Sequence, residues 1–92
     1  MQFTWDKAKR QSNLRKHGYD FADAHRVFEG PMVLAEVIRD DYGEQHMIAH
    51  GLLDTVVVVV IHVESDQTIR IISMRKGDKH ETNRYYEEIG NT

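Results

Sequence analysis

Apolar residues recur along this chain at two different periods. Between residues 21 and 28, Phe21, Ala24, Val27 and Phe28 recur at helical spacing, whereas from residue 32 onward branched residues gather in short runs separated by turn-forming triplets. Ahead of both, Phe3 to Trp5 reads as a short strand. Asp6 is placed to cap a helix over residues 7–17, with Gly18 as a left-handed stop and Lys16 and His17 at the negative end of its dipole. Asp20 caps a second short helix over 21–28, closed by Gly30, and Pro31 opens the strand region. "MVLAEVIRD" predicts a strand, "DYG" a turn and "EQHMIAH" the next strand.

The strongest local pattern is "LLDTVVVVVIHVE". Six successive branched residues, Val56 to Ile61, cannot keep one face in water, so they predict a central strand covered on both sides. "SDQ" turns the chain into "TIRIISMR", a last strand, and Asp78 with Glu81 forms a capping-box pair that starts a helix over 79–89. The order β-α-α-β-β-β-β-α gives one α+β domain over residues 1–92, a mostly antiparallel sheet packed with helices. Strand alternation puts Glu44, His46, Ile48 and His50 on one face. It also predicts that Ile69, Ile71, Ser73 and Arg75 oppose Arg70, Ile72 and Met74, with Arg75 emerging at a sheet rim. On the last helix Glu81 and Tyr85 stack one turn apart, and on the first Lys9, Asn13 and His17 form a polar stripe.

Composition narrows the setting. The 92 residues are 40% hydrophobic and 29% charged, a globular balance, with no cysteine. Disulfides, thiolate nucleophiles and Cys-based zinc sites are thereby excluded, and a reducing cytoplasm is the expected location. The chain opens with no leader-like succession, and its apolar runs are too short to span a membrane. The net charge of −3 conceals segregation: residues 1–19 hold five Lys or Arg against one acid, while 20–44 hold two against seven. Bases near both chain ends can combine into one positive surface opposite an acidic middle.

Six histidines raise the question of a metal. His46 and His50 have HxxxH spacing, but in a strand positions four apart lie about 13 Å from each other, beyond the reach of one ion. No metal and no cofactor are therefore expected. Glycine-rich phosphate loops and nucleophile-elbow motifs are absent from the sequence.

The opening "FTWDKAKRQSNLRKHGYDF" resembles the signature of the BrnT toxins through Trp5, Asp6, Lys9, Asn13, Lys16, His17, Gly18 and Phe21. "HRVFEG", "YGEQHMIAHG" and "RIISMRKGDKHETNRYYEE" are similar to later segments of that family, in the same order. The resemblance implies a RelE-like α+β fold with four to five strands, two N-terminal helices and one C-terminal helix. It also implies a metal-independent ribonuclease, the toxin of a type II toxin-antitoxin system, neutralised by a BrnA-type ribbon-helix-helix antitoxin. The antitoxin supplies DNA binding, so none is expected of this chain. Family positions carry over onto His17, Glu44, Arg75, Glu81 and Tyr85. The chain departs at His46, where the family usually has Arg, at Gly77, where it usually has Ala, and at His50, which replaces an apolar residue.

Metal-free RNA cleavage needs a base for the 2′-hydroxyl, a cation for the phosphate and an acid for the departing 5′-oxygen. Arg75 is the expected cation, helped by Lys76 or Arg70, and His17 is the expected proton-transfer group, histidine being suited to that task near neutrality. Glu81 or Glu44 is expected as base or as orienter of a histidine, and Tyr85 as proton donor or stacking platform. His46 is expected to face the cleft. Lys9, Asn13, Lys16, Arg70 and Lys76 are the expected RNA contacts. The alternatives are a non-catalytic RNA- or antitoxin-binding module of the same fold, and an interaction protein that docks a basic partner on its acidic middle.

Overall fold

The computed structural model describes residues 1–90. Strand β1 (Gln2–Trp5) leads into helix α1 (Lys7–His17). A 3-10 turn (Phe21–Asp23) follows, then α2 (Ala24–Phe28), β2 (Val33–Arg39), β3 (Gln45–Leu53), β4 (Val56–Glu64), β5 (Thr68–Lys76) and α3 (Lys79–Gly90). The strands form one sheet in the order β1-β5-β4-β3-β2. β2 to β5 is an antiparallel meander, but β1 runs parallel to β5, with Trp5 opposite Ile71, so the sheet is mixed. The expected second N-terminal helix is not continuous. Asp20 caps a 3-10 turn through Ala22 N–H, and only five residues of α-helix follow. Phe21 and Ala24 are both fully buried, and the i,i+3 alignment of the tighter turn aims both at the sheet.

The run at Val56–Ile61 behaves as its composition demands: Val57 to Val60 are all buried. Val58 and Val60 pack beneath Phe21, Ala24 and Val27 with Ile69, Ile71 and Met74, while Val57 packs beneath α3 with Val33 and Tyr85. The strand begins later than its pattern suggests. Gly51 to Leu53 belong to β3, and the chain turns at Asp54, which takes the left-handed conformation (φ 56°) that a short polar residue tolerates. Gly51 is required by packing, since a Cβ there would sit 2.6 Å from Val27 Cγ1 and 2.4 Å from Met32 Sδ.

A bulge changes the faces of β5. Ser73 pairs with Ile61 and Ile71 with His62, leaving Ile72 as an extra residue. The parity expected along this strand is therefore wrong beyond Ile71. Met74 joins Ile69 and Ile71 in the core, while Ser73 and Arg75 turn to the α3 face, the face that Arg70 already occupies. Across that face, His50, Val59 and Arg75 stand in register. α3 covers this end of the sheet; toward the other end Ile48, Ile61, Ile72 and Ser73 are only half-buried.

Candidate active site

α1 is held against the edge of β5 by one side chain. β1 pairs with β5 only as far as Ile71. Beyond it, buried Asn13 takes the place of a strand: its Nδ2 donates to Met74 O (2.7 Å) and Tyr19 O (3.0 Å), and its Oδ1 accepts from Met74 N–H (3.2 Å). A carboxamide carries the same donor and acceptor as a peptide, so it continues the ladder by one rung. Arg10 secures the same helix from its other side with two hydrogen bonds to Asp20 (2.7 and 3.0 Å) while lying over Trp5. Asn13 is thus part of the framework, its amide engaged by Met74 and Tyr19.

Between α1 and β5 runs a furrow. Its upper part is lined by Lys9, Ser12, Asn13, Lys16, His17, Ile72 and Ser73. Lys9 and Ile72 also border a neighbouring cavity of about 310 Å³ lined by Asp6, Asp40, Glu44, His46, Arg70 and Ile71. His17 is exposed at the C-terminal end of α1. No ion pair engages its imidazole, or the ammonium groups of Lys9, Lys16 and Lys76, among the described residues. Arg75 does not line the furrow. It stands two residues beyond Ser73 on the same face of β5, a rise of about 7 Å.

Arg75 is committed to Glu81. Its two terminal nitrogens donate to the two carboxylate oxygens at 2.8 and 2.9 Å, a fork-to-fork pair. Glu81 also closes the cap of α3, accepting Asp78 N–H (2.9 Å) while Asp78 Oδ1 accepts Glu81 N–H (2.8 Å). The guanidinium hydrogen bond is the main reason the Glu81 carboxyl falls from 4.5 to about 2, against the opposing effect of burial, and the same bond raises Arg75. Both of its oxygens are engaged, so Glu81 joins the end of β5 to the cap of α3.

Tyr85 is fully buried, its hydroxyl donates to Pro31 O (2.9 Å), and burial raises its pKa, so it ties α3 to the segment ahead of β2. At Gly77 the N–H donates to Val57 O (2.8 Å), and a Cβ there would stand 3.1 Å from that oxygen, so the glycine suits a close strand-to-helix junction.

At the far end of the furrow His46 lines the cavity. Its Nε2 lies 3.4 Å from Asp40 Oδ2 and 3.5 Å from Glu44 Oε1 without a hydrogen bond to either. Glu44 Oε1 also accepts from Arg70. Asp40, which the sequence did not single out, also lines this cavity. Its Oδ1 accepts the N–H groups of Tyr42 and Glu44 (both 2.9 Å), folding residues 40–44 back on themselves. These bonds, the one from Glu44 foremost, lower its pKa against the opposing effect of burial. "DDYGE" announces a turn but not which oxygen remains outside it. His50, also missed, is buried in register with Arg75, and burial lowers its pKa.

The family model for the ribonuclease toxin BrnT of type II toxin-antitoxin systems matches residues 5–81. The chain belongs to the BrnT family. Among curated proteins, none matches it. For a BrnT protein the family implies an RNA substrate and an antitoxin partner. The matched span runs from Trp5 beneath Arg10 to Glu81 beneath Arg75, and so takes in both the furrow and the pair that closes the helical end of the face. No helix among the described residues is long and apolar enough to cross a membrane.

Proposed function

We propose that this BrnT protein is a metal-independent endoribonuclease that binds an RNA strand along the furrow between α1 and β5. The observation that carries the reading is the furrow itself: Lys9, Lys16 and His17 line it, Arg70 extends it, and no carboxylate engages the first three. Lysines on one wall hold the sugar-phosphate chain by charge. Arg75, aligned by Glu81, meets the scissile phosphate from the next position on the face, and the negative charge gathering on the phosphoryl oxygens draws its fork partly away from the carboxylate. His17 takes the proton of the 2′-hydroxyl as that oxygen bonds to phosphorus and the bond to the 5′-oxygen breaks. The imidazolium then returns a proton to the departing oxygen. Lys76, exposed beside Arg75, adds a further phosphate contact. Glu44 and His46, engaged with Arg70 and between carboxylates, shape the far end of the furrow instead of moving protons.

The RelE-like description of the fold, a bacterial cytoplasmic setting and a BrnA-type antitoxin complete the proposal. Such an antitoxin neutralises the protein most directly by covering the furrow, and its ribbon-helix-helix half carries the DNA contact that this chain lacks. The test is cleavage of a single-stranded RNA by purified protein in EDTA. Activity that Arg75→Ala and His17→Ala each remove supports the proposal, and a strict need for added divalent metal refutes it. One observation favours a second reading, a non-catalytic RNA- or antitoxin-binding module: the Arg75 fork is already neutralised by Glu81. That reading predicts salt-sensitive RNA binding with no product.

A further inference from the structure

The cluster at the Asp40–Glu44 turn gathers one imidazole and two carboxylates around one point. His46 Nε2 is shut off from solvent, yet it has no hydrogen-bond partner, although two carboxylate oxygens stand 3.4 and 3.5 Å away. The three ligand atoms of Asp40, Glu44 and His46 lie within 4.8 Å of one another. A tetrahedral ion with bonds of about 2.0–2.1 Å to nitrogen and oxygen places its ligands about 3.4 Å apart. Both distances from Nε2 match that edge.

We propose that Asp40, Glu44 and His46 form a binding site for a divalent transition cation of the zinc type, with a fourth position open to the adjoining cavity. The donor set is one imidazole and two carboxylates, which suits such a cation better than calcium or magnesium, whose preference is for oxygen alone. The outer support is in place. Asp40 is anchored through Oδ1 by two backbone N–H groups, which leaves Oδ2 directed at His46. His46 is carried on β3 opposite Ile38, and Glu44 immediately precedes the strand, so turn and strand deliver all three ligands to one point.

Arg70 occupies the position against Glu44 that the cation takes. It is a half-exposed guanidinium, and an ion pair of that kind is worth at most about 1 kcal/mol. Metal entry therefore exchanges one cation for another: Glu44 passes from Arg70 to the ion, and Arg70 is released toward the furrow. The inference rests on this cluster alone and is independent of RNA cleavage.

Calorimetric titration of the metal-free full-length protein with Zn²⁺ tests it. One ion binds per chain, and His46→Ala and Glu44→Gln each weaken binding by about tenfold or more; Glu44→Gln preserves side-chain shape and keeps the test readable if His46→Ala misfolds. Arg70→Ala tightens binding several-fold because the competing cation is gone, an effect that adventitious binding at the other five histidines would not show. Zinc affinity unchanged by both ligand substitutions, or absent in the wild type, overturns the site. An Arg70→Ala variant no tighter than wild type overturns the exchange.

Discussion

Two arginine–glutamate pairs stand at opposite ends of one sheet face, and they differ in almost everything except chemistry. Arg75 and Glu81 meet fork to fork, the carboxylate is four-fifths buried, and it also caps α3. Arg70 and Glu44 meet through one nitrogen and one oxygen with both side chains about two-fifths exposed, and Glu44 shares its oxygen with the surroundings of His46. The first pair joins a strand to a helix whose cap it completes, so breaking it opens a junction. The second joins a strand to a turn that Asp40 already holds by backbone bonds, so breaking it frees two side chains and little else. Identical residue types thus yield a cap-completing, mostly buried junction at one end and a half-exposed single contact at the other.

The sharpest way to break this contrast is kinetic. Arg75→Ala should lower kcat/KM for a single-stranded RNA by about 10²–10³-fold, as removal of a fixed charge-stabilising group does, whereas Arg70→Ala should cost less than about tenfold. Equal losses would erase the distinction. Next in size is stability in urea. Glu81→Gln should cost about 1–2 kcal/mol, because it weakens a charge-assisted fork and half of a capping box, against less than about 0.5 kcal/mol for Glu44→Gln.

The acid limb of stability sharpens the same comparison. The folded carboxyl of Glu81 lies at about 2 and its ordinary value is 4.5, so the unfolded chain binds the proton more readily. Its contribution is fully present above about pH 4.5 and is lost as pH falls toward 2. Urea midpoints measured across that window should drop in the wild type and drop less in Glu81→Gln. The smallest effect belongs to the furrow wall: Lys9→Ala and Lys16→Ala should each reduce the salt dependence of RNA affinity by about one unit of slope, whatever the RNA sequence. A flat response at both positions would move the RNA off this wall.

Much of this molecule is legible without coordinates. Asp6, Gly18 and the polar run between them describe α1 with its observed bounds, because caps act within one turn of the residues they serve. The Asp78–Glu81 box announced α3 for the same reason. The valine run identified the covered strand because a continuous apolar segment has no face to offer water. The contacts of Asn13 were not legible, since its polar stripe on a helix is indistinguishable from a solvent-facing one until Met74, 61 residues away, is known to meet it. Nor were those of Tyr85: the spacing to Glu81 is local, but its hydroxyl is claimed by Pro31, 54 residues earlier.

The amino-acid sequence by itself determined the first and last helices, their caps, the covered strand and the chain's membership of the BrnT family, since these depend on residues close along the chain or on their order. The tertiary structure alone decided the parallel alignment of β1 with β5, the bulge at Ile72 that turns Ser73 and Arg75 onto the α3 face, and the gathering of Asp40, Glu44 and His46. Each of these is a choice of register or partner between distant segments. One residue of slip reverses every side chain that follows, and no local preference is large enough to specify it before the segments have packed.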